Sequence, residues 1–199
     1  MLHRASALVA VLAVATCCAA SPLPVAEKAL RRATIDLGGY CAGVVVSATE
    51  ILTAAHCVRS TGELVTVTYA TGDHDAGHVV SADRASDLAI VRLAIPAPVE
   101  PLSIRDGVPA AGETVFFTGR NDFGHPFEEA VIERLGRCPS LPRVPNALFT
   151  SIFARPGDSG APIIDEHLRI VGLVHGGARC HIAAPTAKAL GLLAAVHRP

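Results

Sequence analysis

Three short segments carry residue types that can do chemistry together: Thr53-Ala54-Ala55-His56-Cys57, Ser86-Asp87-Leu88-Ala89, and Pro156-Gly157-Asp158-Ser159-Gly160. A serine hydroxyl is a poor nucleophile near neutral pH. It needs a neighbouring base to take its proton, and the base needs a carboxylate to orient it. His56, Asp87 and Ser159 supply those three types, in the chain order His, Asp, Ser. Each segment alone is weak. One His among 9 is ordinarily structural or on the surface, an Asp opening a strand is ordinarily a cap, and a Gly-Asp-Ser-Gly string fits any tight turn. The glycines beside Ser159 add a second signal. A backbone N–H can point at a developing oxyanion only where the turn is tight and no side chain blocks the approach.

The elements that must position these residues read as strands. Short apolar runs bounded by turn residues cover Cys41–Ser47, Leu64–Ala70, Gly77–Ser81, Leu88–Leu93, Thr114–Thr118, Ala130–Leu135, Ala161–Ile164 and Arg169–His175. Val and Ile are frequent in them, and Gly, Pro, Asp and Asn lie between them, so the pattern predicts an all-β chain, barrel or sandwich. The stretch from Ala94 to Gly112 contains Pro96, Pro98, Pro101 and Pro109. Proline cannot donate a ladder hydrogen bond, so this stretch reads as a connection between two β units. One helix is expected at the end, with Thr186 as its cap and Ala187 to Val196 as its body. No internal repeat stands out.

Composition bounds the rest. The chain has 199 residues, 50% hydrophobic and 18% charged, which excludes a disordered polymer. The formal net charge is −1 and no basic block occurs, so nucleic acid is not an expected partner. Aromatics are 4% and Trp is absent, leaving Val, Ile, Leu and Ala to build the core. His3 and Arg4 precede an apolar run and the small residues Ala19 and Ala20, the layout of a secretory leader over 1–20. That makes the mature chain 21–199, secreted or periplasmic. No membrane association is expected of it unless Cys17, which follows Val14-Ala15-Thr16, is lipidated. Four cysteines remain in the mature chain: Cys41, Cys57, Cys138 and Cys180. An even number in an exported chain suggests two disulfides, with three connectivities open. No Cys or His spacing of a zinc site occurs, so no metal is expected.

With these segments together, the chain resembles the chymotrypsin/trypsin family of serine proteases from about Gly39 to His197. The resemblance rests on Cys41-Ala42-Gly43 through Ala54-Ala55-His56-Cys57, on Gly157-Asp158-Ser159-Gly160, and on Ile170-Val171-Gly172-Leu173-Val174-His175-Gly176-Gly177. It implies two antiparallel six-stranded β-barrels, over about 33–95 and 112–185, with a C-terminal α-helix over 186–197. The site would lie in the cleft between the barrels. By the same match Ser159 would be the nucleophile, His56 the general base and acid, and Asp87 the orienting carboxylate. The N–H groups of Gly157 and Ser159 would form the oxyanion hole. Cys41 and Cys57 would be bonded beside the catalytic His, leaving Cys138 and Cys180 as the second pair. The implied activity is endopeptidase action on protein or peptide substrates, without a cofactor, by a monomer. The alternatives are a catalytically inactive homologue that binds proteins through the same cleft, and an esterase with the same triad.

The chain departs from that family in two ways. No Ile-Val-Gly-Gly start is present, so Asp158 needs a partner other than a newly cut N-terminus. Ser21–Arg32 reads as a short propeptide or a loose arm, with Arg31-Arg32 as a possible cleavage site or a solvated basic pair. In the specificity pocket, the base position falls on Phe153 and a wall position on Gly177, with His175 and His181 nearby. Phe153 in place of an acidic residue argues against strong Arg or Lys preference. His175 falls where the family often has a Ser that bonds the catalytic Asp.

Overall fold

The computed structural model of the protein describes residues 23–120, 124–176 and 181–198. The expected leader with Cys17, the pocket residue Gly177, and Cys180 lie outside the described residues. Twelve described strands form two closed barrels of six, all pairs within them antiparallel, with a helix near each end. The first barrel holds β1 (Thr34–Leu37), β2 (Cys41–Ser47), β3 (Glu50–Ala54), β4 (Leu64–Thr68), β5 (His74–Asp83) and β6 (Leu88–Leu93). The second holds β7 (Thr114–Phe117), β8 (Glu128–Gly136), β9 (Ala147–Thr150), β10 (Pro162–Ile164), β11 (Ile170–Val174) and β12 (Ile182–Pro185).

The strands run β1-β2-β3-β6-β5-β4 in one barrel and β7-β8-β9-β12-β11-β10 in the other. The two halves therefore share one topology that the sequence does not display as a repeat. Closure removes the exposed strand edges that an open sheet would leave unpaired. Each barrel interior is filled by apolar side chains. Val45, Ile51, Val67 and Val91 fill the first, and Phe117, Ile132, Ile163 and Val171 the second. A third cluster between the barrels includes Val44, Leu52, Ile90, Phe116 and Leu173.

The C-terminal helix is present as expected but lacks its expected cap, and the N-terminal helix was not expected. Residues from Leu23 to Ala33 form an α-helix, α1, instead of a loose arm. Pro24 lies in the first turn, where its missing N–H costs no hydrogen bond. Ala26, Leu30 and Ala33 recur on one face and are buried there. Thr34 Oγ1 donates to the carbonyl of Leu30 at 2.7 Å and satisfies one of the last helical acceptors. The C-terminal helix, α2, spans Ala189–Val196 and begins without a side-chain cap. Thr186 is instead buried and donates to the carbonyl of Ile170 at 3.0 Å, tying the approach to α2 onto β11.

Cys41 and Cys57 are bonded, as the resemblance implied. The bond ties the start of β2 to the 3-10 turn Ala55–Cys57, which carries His56. Closing a loop of sequence separation 16 restricts the unfolded chain and is worth about 3 kcal/mol. Denaturant unfolding of the Cys41→Ala/Cys57→Ala double variant should show a loss of that order. An unchanged midpoint would contradict it.

Candidate active site

The first barrel contributes two of the expected residues. His56 sits in the 3-10 turn after β3, and Asp87 immediately precedes β6, the neighbour of β3 in the sheet. Adjacent strands thus deliver them side by side from positions far apart in sequence. Asp87 has φ of 56°, a left-handed conformation that costs a non-glycine residue about 1–3 kcal/mol. The His56 turn holds it there. The Ala55 N–H donates to the Asp87 carbonyl at 3.1 Å, and the His56 N–H donates to Oδ1 at 3.0 Å.

The Asp87 side chain accepts from two imidazoles. His56 Nδ1 lies 2.9 Å from Oδ2 and 3.0 Å from Oδ1, and His175 Nδ1 lies 2.6 Å from Oδ2. The two rings meet edge to face, with centroids 4.8 Å apart. A carboxylate accepts only, so each ring presents Nδ1–H to it and the Nε2 of His56 is left as the basic nitrogen. Burial by itself would raise the Asp87 carboxyl. The hydrogen bonds from His175 and then His56 outweigh it and hold the group well below the usual carboxylate range. Asp87 binds a proton more readily in the unfolded chain, so its contribution is fully present above about pH 4 and fades as pH falls toward the depressed native value. Acid unfolding of Asp87→Asn should therefore lose part of the wild-type pH dependence below about pH 4. Identical acid limbs would contradict the assignment.

Ser159 comes from the second barrel, in the turn before β10. The Ala42 N–H of β2 donates to the Ser159 carbonyl at 2.7 Å, so the serine is held directly against the first barrel. Gly160 has φ of 85°, and a Cβ there would lie 2.2 Å from the Ala42 carbonyl oxygen. Only glycine allows that approach. Ser159 Oγ donates to the carbonyl of His175 at 3.2 Å. His175 is thus the joint of the site: its ring holds Asp87 and its backbone holds the serine. Among the described residues, Ser159 and His56 share no hydrogen bond in this rotamer. Such bonds are often long before substrate binds.

Gly157 has φ of 100°, which turns the peptide before Asp158 without strain. Among the described residues, neither the Gly157 nor the Ser159 N–H has a backbone or side-chain acceptor. Two unspent donors beside a serine hydroxyl suit an oxyanion. Asp158, between them, is fully buried. It accepts the N–H groups of Arg120 at 2.9 Å and Arg155 at 2.6 Å, and lies 3.0 Å from His125 Nε2. His125 is the partner that sequence reasoning left unnamed. No motif marks it; the only signal was an Asp that needed a counter-charge.

The pocket residues are more open. Phe153 is 65% exposed, its ring is tilted against His181 at 6.4 Å, and its N–H donates to Glu128 Oε1 at 3.2 Å. His181 Nδ1 donates to the Ile152 carbonyl at 2.9 Å. Cys138 is buried with Sγ 3.2 Å from Ser140 Oγ. A groove of about 350 Å³ runs beside His56 and Asp87, between Arg84 and the segment holding Leu141 and Arg143.

Residues 41–173 match the trypsin-like peptidase domain. The chain belongs to the trypsin-like peptidase family. The match covers the segments with His56, Asp87 and Ser159 and the strands from β2 into β11. No curated protein matches the chain by sequence. Among solved structures, the trypsin-like chain is similar to the serine endoprotease from Yersinia pestis, with a TM-score of 0.71 and 20% identity over 87% of this chain and 66% of that one. It is similar to the HtrA-type protease AlgW with a tripeptide, with a TM-score of 0.71 and 19% identity over 86% of this chain and 62% of that one. It is also similar to the Rv3671c protease in an inactive form, with a TM-score of 0.69 and 23% identity over 87% and 93% of the two chains. The chain spans somewhat less than two thirds of the length of the first two. At these identities the likeness is one of fold. Among the described residues, no helix is long and apolar enough to cross a membrane.

Proposed function

We propose that this trypsin-like peptidase is a secreted or periplasmic serine endopeptidase acting through an acyl-enzyme. The observation that carries the reading is the single Asp87 carboxylate, which fixes the His56 tautomer while His175 ties it to the Ser159 loop. Ser159 Oγ attacks the scissile carbonyl as its proton passes to His56 Nε2. The tetrahedral oxyanion is received by the N–H groups of Gly157 and Ser159. His56 then gives the proton to the leaving amine, and water repeats the sequence on the acyl ester. Asp87 stays ionised throughout and stabilises the charged imidazole.

Phe153, Gly177 and His175 are the proposed substrate-binding positions. By the family resemblance Phe153 falls at the pocket-base position, and its exposed apolar ring in place of an acidic residue favours a substrate side chain other than Arg or Lys. Nδ1 of His175 is engaged by Asp87, so its side chain acts on the triad. His175→Ala should lower kcat about tenfold, the order of a lost hydrogen bond to a charged group, with KM nearly unchanged. A large rise in KM at constant kcat would return the imidazole to substrate binding.

A peptide library read by mass spectrometry tests the activity and the pocket together. Cleavage is expected after residues other than Arg and Lys. Cleavage mainly after Arg would contradict the pocket reading. Ester turnover without peptide turnover would favour an esterase, and an inert protein would favour a binding homologue.

A further inference from the structure

We propose that the N-terminal segment, α1 with β1, is a clamp that sets the oxyanion loop, with Arg31 and His125 as positioning residues for the reaction. The inference rests on the catalytic reading above and deepens it. Asp158 lies between the two donors of the hole, so the peptide planes of Gly157 and Ser159 follow its carboxylate. That carboxylate is fully buried. A buried charge without partners costs several kcal/mol, so the partners determine where it sits.

One partner, the Arg155 N–H, belongs to the same turn. The other two, the Arg120 N–H and His125 Nε2, come from the segment after β7. The His125 contact is close but off the line of a ring N–H, so packing around the buried ring, not a directed hydrogen bond, holds it. The ring is 4% exposed and lies edge-on to Phe117 at 6.0 Å. Gly119, with φ of 64°, makes room for the meeting. A Cβ there would lie 2.5 Å from His125 Cδ2 and 2.8 Å from Asp158 Oδ1.

The N-terminal segment fastens both of these partners. Arg31 of α1 donates from its guanidinium to the His125 carbonyl at 2.9 Å. Asp36 of β1 lies 2.9 Å from the buried Arg120 guanidinium. Two routes thus run from the chain's first helix and strand to Asp158, one through Arg31 and His125, the other through Asp36 and Arg120. A cut at Arg31-Arg32 would sever the first route, so processing there should lower activity instead of conferring it.

The test is steady-state hydrolysis by wild type, Arg31→Met, Arg31→Lys, His125→Ala and the Arg31→Met/His125→Ala double variant, with thermal unfolding of each. Arg31→Met should lower kcat about tenfold, as for a lost charge-assisted hydrogen bond. His125→Ala should lower it about 10²-fold, as for a misplaced reacting group. KM should move little in either, and Arg31→Lys should recover part of the loss. The double variant should be no slower than His125→Ala, because both act on one element. An active wild type with unaffected variants would overturn the clamp and leave the catalytic reading standing. So would losses that multiply and merely track melting temperature. An inert wild type would overturn the catalytic reading, and the clamp with it. Should His125→Ala fail to fold, Arg31→Met against Arg31→Lys decides the matter alone.

Discussion

Ser159→Ala should reduce peptide hydrolysis by about 10⁶-fold, the scale seen when the serine of a comparable triad is removed. The side chain removed is half-buried and, among the described residues, makes one hydrogen bond, to the His175 carbonyl. Its loss leaves the fold intact, because the loop is held by the Ala42 N–H on the Ser159 carbonyl and by the Asp158 contacts, none of which uses the hydroxyl. Peptide binding should survive, and the melting temperature should stay within a degree or two. Hydrolysis within tenfold of wild type would remove Ser159 from the mechanism.

Asp87→Asn should cost about 10⁴-fold in kcat, as when an amide replaces the carboxylate of such a triad. Here the geometry makes the loss harder to escape. Oδ2 accepts from both His56 Nδ1 and His175 Nδ1, and Oδ1 accepts the His56 backbone N–H. An amide NH₂ at the Oδ2 position would face two ring donors. At the Oδ1 position it would face a backbone donor that cannot change tautomer. Either orientation leaves a donor against a donor, and the first also drives His56 toward the tautomer that cannot take the serine proton. Kinetics with KM and kcat resolved would check this. A loss confined to KM would contradict the role assigned to Asp87.

The three residue types and the all-β class were legible because both rest on local strings, whereas the two-barrel architecture was implied by the family resemblance. His56, Asp87 and Ser159 stand in short motifs, and β2 and β6 have the bounds their apolar runs predict. Other strands were not. β1, β3, β9 and β12 lie outside the predicted runs. The helix α1 was concealed by Pro24 and by its polar face. Proline ends a helix when it falls inside one but can open one, and Ala26, Leu30 and Ala33 kept the helical period underneath. Thr186 had the right type and spacing for a cap, but tertiary burial against Ile170 took its hydroxyl first. His125 was beyond reach for a different reason. Its meaning lies in a contact with Asp158 across 33 residues of chain, and no local pattern records such a pairing.

The claim that imidazole, carboxylate and hydroxyl form one reacting centre is tested most directly by covalent capture. Purified protein is treated with a fluorophosphonate, and the adduct is located by peptide mass mapping. Attachment of a single probe on Ser159, abolished in a heat-unfolded sample and slowed in Asp87→Asn, is the result this account predicts. No adduct, or one distributed over other serines at the same rate in folded and unfolded protein, would contradict it.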